Sequence, residues 1–342
     1  GANHVLYGTL QAIPQTGTGN APRFAIDIKN LGGMYANKIF MVATEKGFGV
    51  NSSGRLAALQ GNLHLSANGD LTLSDTRAQT DLALSAQDNL TLTGTTGSGA
   101  NSAIDAAGTF ANQGELDAQG RLTVHAGHIA NAGQLAHRST EALELRADGR
   151  LENSGTLYSA GALSTTAQTL TDSGGAWRAN GPIVVTAQTL NLANTEVTGG
   201  NEVQLSATGG ALTTSQIELN AGSTLRTTAA GELSHRSGRL NAADAITLEG
   251  ASVVTSASQI QSGAELAITT LGALDNSGGT LSAARSVVVD AASLSNHSGS
   301  QIIAGGSAQI NVSSGVDNRG SVISGATAVT INAAQGAIEN SV

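Results

Sequence analysis

Cysteine is absent from all 342 residues. That excludes a disulfide framework and any thiolate metal site, and it suits a chain exported before it folds. Aromatic residues make up 2% of the chain, too few for a base-stacking platform or an aromatic-lined sugar cleft. Charged residues are also scarce, at 12% with a net charge of −9. No Lys/Arg cluster interrupts that acidic balance, so no nucleic-acid footprint is present. No apolar run approaches the length of a membrane-spanning helix, and no signal peptide is visible. Proline occurs only three times, whereas glycine occurs 44 times and breaks the chain every few positions.

What the chain does have is a period. One aliphatic or aromatic marker recurs at Leu71, Leu90, Phe110, Ile129, Leu151, Leu170, Leu190, Leu212, Leu233, Val253, Leu274, Leu294, Val316 and Ile338, in steps of 19 to 22 residues. A second series, from Leu63, Leu82 and Ile104 to Val287, Ile310 and Val329, keeps steps of 18 to 23. A third is looser: Leu56, then Leu116, Leu135, Leu157, Trp177, Val197, Ile217, Leu240, Ile260, Leu281, Ile302 and Val322. Three registers sharing one period describe about 14 units with three short apolar segments each.

Within a segment the period is 2. Leu63-His64-Leu65, Leu143-Glu144-Leu145 and Ile246-Thr247-Leu248 alternate apolar with polar, which is strand spacing. No window sustains helical spacing, so a helical repeat is rejected. Segments one period apart look alike, and the natural pairing is each strand with its copy in the next coil rather than in a hairpin. The predicted fold is an all-β parallel β-helix, a solenoid of about 14 coils with three short strands each. Alternate side chains fill a dry aliphatic column, and curling the sheet around its own core removes the need for covering helices. One coil cannot fold alone; stacking makes stability grow along the array. With strands about 4.8 Å apart, 14 coils make a rod on the order of 65 Å long.

Asn112, Asn131, Asn153, Asn276, Asn296, Asn318 and Asn340 each fall two residues after a marker, and Asp172 and His235 hold the same place in other coils. Asn tolerates left-handed backbone angles and caps nearby backbone groups, which suits a tight corner. Amides stacked coil on coil can also form a hydrogen-bond ladder. The alternative is a row of sugar-binding amides.

Other candidates for chemistry are sparse. His125, His128 and His137 form the one local histidine cluster. His125 directly follows an inward Val124 and so points outward, and the expectation is solvated surface histidines rather than a metal site. Trp177 stands where other coils carry Leu or Val and is read as core. Glu115/Asp117, Glu141/Glu144 and Asp148/Glu152 are the carboxylate pairs a polysaccharide-cleaving β-helix would need on one face, but the register scatters them. Gly94-Thr95-Thr96-Gly97-Ser98-Gly99 and Gly17-Thr18-Gly19 lack the Lys-Ser/Thr ending and following helix of a phosphate loop, and are read as long corner loops. The spacing of calcium-binding nonapeptide repeats never recurs. No catalytic residue, cofactor or metal is expected.

The first 50 or so residues differ in composition. Tyr7, Phe24, Tyr35, Phe40 and Phe48 lie there, with Pro14 and Pro22. Then come Leu31-Gly32-Gly33-Met34-Tyr35-Ala36-Asn37-Lys38-Ile39 and Val42-Ala43-Thr44-Glu45-Lys46-Gly47-Phe48-Gly49-Val50. This stretch resembles the end of the haemagglutination-activity secretion domain of two-partner-secretion exoproteins, on Gly32, Gly33, Met34, Tyr35, Thr44, Glu45, Lys46 and Gly47. The coils after it resemble the filamentous-haemagglutinin repeats of the same family, which includes filamentous haemagglutinins and contact-dependent growth-inhibition effectors.

The resemblance implies a right-handed β-helical filament on a Gram-negative cell surface. It implies export through an outer-membrane β-barrel transporter that recognises the secretion domain, and target-cell receptor binding by parts outside this chain. It divides the chain into residues 1–54, the last part of the secretion domain and itself β-helical, and residues 55–342, the repeats. The chain is expected to be a piece of a longer protein, without the family's toxin domain. The expected role is a structural filament segment projecting a distal adhesive or toxin-bearing tip. The alternatives are a direct adhesin binding through its outward faces, and a polysaccharide-degrading enzyme.

Overall fold

The computed structural model describes residues 23–28 and 32–341, and the backbone of residues 3–5 and 12–14. Tyr7, Pro22, Leu31 and the Gly17-Thr18-Gly19 stretch lie outside these residues. Every regular element among the described residues is a strand. Fifteen parallel strands, from Gly33–Ala36 to Val322–Gly325, form the first face of a solenoid. A 27-stranded sheet supplies the other two faces. The second face runs from Ile39–Ala43 to Ala328–Ala333, and the third from Phe24–Ile28, which pairs parallel with Gly49–Ser52, to Ile338–Glu339.

Pairing is copy on copy. Leu63 lies over Ile39 and under Leu82, and Leu248 lies between Thr227 and Ile268. All fourteen residues of the first marker series fall in one continuous register, beginning Leu71, Leu90, Phe110 and ending Val316, Ile338. The side chains that alternate inward are almost all aliphatic. In one coil Leu240, Ile246, Leu248 and Val253 are at most 0% exposed, while Thr247 between two of them is half-exposed. Each fully buried aliphatic contributes about 1.5–3 kcal/mol, but only because the coils above and below close the column.

The structure has fifteen coils. The additional coil is the one spanning Gly33 to Ser52, which continues all three ladders into the next coil without a break at residues 54 and 55. Some strands also run longer than three to five residues. Ser102–Asn112, Leu122–Asn131, Ala162–Ser173 and Ile183–Ala193 pass through the bend between the second and third faces.

Several expectations are corrected. Asn3–Val5 pairs antiparallel with Ala12–Pro14, because this stretch precedes the repeat and has no copy to stack on. Thr95–Ser98, read as part of a corner loop, is a strand of the first face. Its Thr96 and the preceding coil's Thr76 occupy core places between Leu56 and Leu116 and are buried. Thr has nearly the shape of Val and fits the column, though both hydroxyls are buried without a partner, and a polar residue in these places explains why the third series skips those coils. The true register partner of Val197 is Leu219, not Ile217, and that of Ile302 is Ile323, with Val322 facing out. Ser102 and Ala308, not Ile104 and Ile310, stand in line with Leu82 and Val287. At Leu219 and Ile323 a second aliphatic one or two places earlier hid the true partner, and at Ser102 and Ala308 an isoleucine two places later masked the polar or small residue that fills the position.

Candidate functional site

The polar column lies inside the corner where the third face turns into the first. Its places are filled in coil order by Ser52, Leu73, Leu92, Asn112, Asn131, Asn153, Asp172, Leu192, Thr214 and His235. Thr255, Asn276, Asn296, Asn318 and Asn340 continue it. All of these except Asn340 are buried.

Two amide runs result. In the first, Asn112 Nδ2 donates to Asn131 Oδ1 at 2.8 Å and Asn131 Nδ2 to Asn153 Oδ1 at 2.7 Å. Asn153 Nδ2 donates to Asp172, which ends the run. Second contacts reach corner carbonyls: Asn112 Nδ2 donates to Gln134 O, Asn131 Nδ2 to Gly133 O and Asn153 Nδ2 to Gly155 O. Asp172 suits the end of such a run because a carboxylate only accepts. Its Oδ1 takes Gly175 N–H at 2.8 Å and Thr195 Oγ1 at 2.6 Å, and its Oδ2 takes Trp177 Nε1–H at 2.6 Å as well as Asn153. Trp177 itself lies in the core between Leu157 and Val197. The opposite end is incomplete. Asn112 Oδ1 has no partner, since the coil before it places Leu92 in the column.

The second run starts on a hydroxyl. Thr255 Oγ1 donates to Asn276 Oδ1 at 2.9 Å; Asn276, Asn296 and Asn318 then donate in turn to Asn296, Asn318 and Asn340 at 2.8, 2.6 and 2.7 Å. Between the two runs sits His235, with Thr214 Oγ1 2.8 Å from Nδ1 and Thr227 Oγ1 3.0 Å from Nε2. Complete burial lowers its pKa to about 4.

The left-handed backbone falls elsewhere than expected. None of the seven Asn has a positive φ; the residue two places on does in the later coils, at Gly174, Asn194, Gln216, Ser237, Ala257, Gly278, Ser298 and Gly320. The side chain that bonds inside the corner needs extended backbone, and the reversal follows it. In the earlier coils the glycine of Asn-x-Gly serves packing instead. A Cβ on Gly133 would lie 1.9 Å from Gly114 O.

The histidine trio is separated. His125 is exposed between Asp105, 3.4 Å from Nδ1, and Asp148, 3.1 Å from Nε2. His128 accepts Arg150 N–H through Nδ1 at 3.0 Å. His137 is buried, which corrects the surface reading: its strand, Gln134–His137, turns it into the interior at a place where Ala118 and Ser159 flank it. Ser159 Oγ donates to Ala162 O, so it accepts Nδ1–H of His137 at 3.1 Å and leaves Nε2 bare and unpartnered. Burial lowers the His137 pKa, against the opposing charge of Glu141.

Four of the six carboxylates of the acidic pairs are held in surface ion pairs. Asp117 holds Arg138 at 3.0 Å, Glu144 holds Arg121 at 2.8 Å, and Asp148 and Glu152 each hold an arginine at 3.3 Å. Among the described residues no group of acidic or histidine side chains could hold a metal ion. The resemblance motif forms one coil and its corner. Gly33, Met34 and Tyr35 lie in the first strand of the first face, next to the exposed Gly32, with Met34 stacked on Leu56 and Tyr35 exposed. Thr44, Glu45, Lys46 and Gly47 form the following turn. There Gly47 has φ 80° and donates to Asn68 O at 2.7 Å, and Thr44 O accepts Asn68 Nδ2.

Comparison with known proteins gives this geometry a family. The haemagglutinin repeat matches residues 41–114, 77–155 and 277–342, just over half of the chain. The chain is 53% identical over 74 residues, 22% of its length, to the tRNA nuclease CdiA-2 of Burkholderia pseudomallei. It is 34% identical over 230 residues, 65% of its length, to the 16S rRNA endonuclease CdiA of Enterobacter cloacae, and 31% identical over 203 residues, 45% of its length, to the tRNA nuclease CdiA of Yersinia mollaretii. The matched segments span only 2%, 6% and 7% of those proteins. No solved structure matches the chain. A repeat-built solenoid with this sequence signature belongs to the haemagglutinin-repeat family of two-partner-secretion exoproteins.

Proposed function

We propose that this segment is a stretch of rigid filament that holds a distal adhesive or toxin-bearing tip of a secreted exoprotein away from the producing cell. The observation that carries the reading is the uninterrupted parallel ladder of fifteen strands on one face. Each inner coil is tied to two neighbours, so bending costs hydrogen bonds on one side and packing on the other. The buried polar column serves that rigidity: its seven Asn are corner residues that fix register, not sugar ligands, because their amides are spent on one another and on corner carbonyls. Residues 1–54 are the end of the secretion domain that an outer-membrane β-barrel transporter recognises, and Gly32 to Tyr35 and Thr44 to Gly47 carry the motif of that domain. Residues 55–342 are the filament proper. Receptor contact belongs to other parts of the parent protein, on the surface of a Gram-negative cell.

The test is to delete whole coils from the parent protein and image the filament. Removing four in-register coils should shorten it by about 20 Å at the strand spacing, with export retained. An unchanged length, or loss of the filament altogether, would count against a modular spacer.

A further inference from the structure

Of the two buried histidines, one is satisfied and the other is not. Thr214 and Thr227 hold both ring nitrogens of His235. His137 has Ser159 on Nδ1 and nothing on Nε2, although its side chain is buried. Its neighbours along the axis are small. Ser98, Ala118, Ser159, Ala179 and Gly199 fill the same place at the end of the first face. An imidazole in that column needs room that the other coils do not provide.

The corner beside it supplies the room. Five residues, Arg138 to Ala142, lead from His137 to Leu143, whereas three lead from Ala118 to Leu122 and three from Ser159 to Leu163. Arg138 N–H ties the start of this corner to Ala118 O at 2.9 Å. Further on, Glu141 N–H reaches only Ser139 Oγ, within the corner itself, at 3.3 Å. Arg138, Thr140 and Glu141 are exposed.

The charged groups around His137 give it almost no support. Glu115 and Asp117 on the strand before it, Tyr158 on the strand after it, His125 on the neighbouring coil's second face, and Glu144 and Arg146 on its own all occupy the outward places of their strands. Arg138 turns away to Asp117. Glu141, in the corner, is the one charge that favours the protonated ring, and burial outweighs it.

We propose that this corner is an acid-opened joint in the rod: a second proton on His137 drives the imidazole and residues 138–142 into water and frees one coil, while the ladders on either side stay closed. The added proton goes to Nε2, where no acceptor lies within reach, and a buried charge left without one is costly. The open form therefore takes the proton first. Opening sets in as the pH falls below the 6.5 of an ordinary histidine, and it grows by up to about tenfold per pH unit. The rod is rigid at neutral pH and gains one compliant coil in acid. This goes beyond the spacer role and leaves it unaltered at neutral pH.

The test is hydrogen exchange on the whole chain at about pH 7.5 and about pH 5, on either side of the histidine range, with protection factors corrected for the intrinsic effect of pH. Protection in residues 134–147 should fall roughly tenfold or more in acid, and that in residues 183–207 should stay as it is. His137→Ala, which gives the column its usual side chain, should abolish the fall. Glu141→Gln should deepen it, because that carboxylate eases the charged ring in its buried place. His235→Asn should leave it as in the parent chain. Unchanged protection in residues 134–147, an even loss along the whole rod, or the same loss in His137→Ala overturns the assignment. None of those results touches the spacer role, which rests on the ladder and is tested by coil deletion.

Discussion

At the residue scale, the column of corner side chains shows how buried polarity is kept consistent. A buried amide left without partners costs about 1–3 kcal/mol, and here each Asn hands its donors forward to the next coil until Asp172 or Asn340 receives them. Asn296→Leu or Asn318→Leu should therefore lower stability by roughly 1–2 kcal/mol, read as a lower urea midpoint; an unchanged midpoint would remove the ladder from the account. His235 gives a pH signature. Its folded pKa of about 4 lies below the unfolded value of 6.5, so the unfolded chain binds the proton first. Its penalty is absent above pH 6.5 and grows as pH falls, levelling off below about 4 with a loss on the order of 3 kcal/mol. His137 shifts in the same direction. Urea titrations across that window should show a shallower decline for His235→Asn than for the parent chain. Identical slopes would mean that His235 is hydrated in the fold.

At the element scale, strand facing decides what the sequence tolerates. Leu248 is buried between the matching places of two neighbours, whereas Thr247 faces out. Leu248→Asp should unfold several coils in hydrogen exchange, while Thr247→Asp should leave protection unchanged; equal effects would mean the facing is inverted. Facing was legible in the sequence because period-2 alternation is a local property. The third-face markers were legible throughout for the same reason. The first-face series was not, because a fully enclosed column accepts Thr76 and Thr96 where a hydropathy pattern expects Leu. The site was legible by position only. The spacing located Asn112 through Asn340, Asp172 and His235, but not the direction of donation, the Trp177 and Thr195 bonds that complete Asp172, or the placement of the left-handed residue two positions later. Those depend on which coil lies above which, and no single repeat contains that information. His137 was misjudged because its outward-looking local pattern gives no sign that the strand end turns into the core.

At the scale of the whole molecule, one operation repeated fifteen times makes a rod about 70 Å long at the strand spacing. Small-angle scattering should give the asymmetric distance distribution of a rod rather than the symmetric one of a globule with a radius of gyration of about 20 Å for this chain length. Fibril-like edge pairing is the hazard of such an architecture, since the end coils present open ladders. Its benefit is that length can change by whole coils while every internal contact is preserved.

The central claim is that each strand lies on its copy one period later, and the absence of native cysteine makes it directly measurable. Thr247 and Ala267 are register partners, and Val288 follows one coil further on. The Thr247→Cys, Ala267→Cys pair should form a disulfide on mild oxidation, because adjacent strands place Cα atoms within the ~4.4–6.8 Å that the bond spans. The Thr247→Cys, Val288→Cys pair, two coils apart, should stay reduced. Failure of the first pair to close, or equal closure of both, would contradict copy-on-copy stacking.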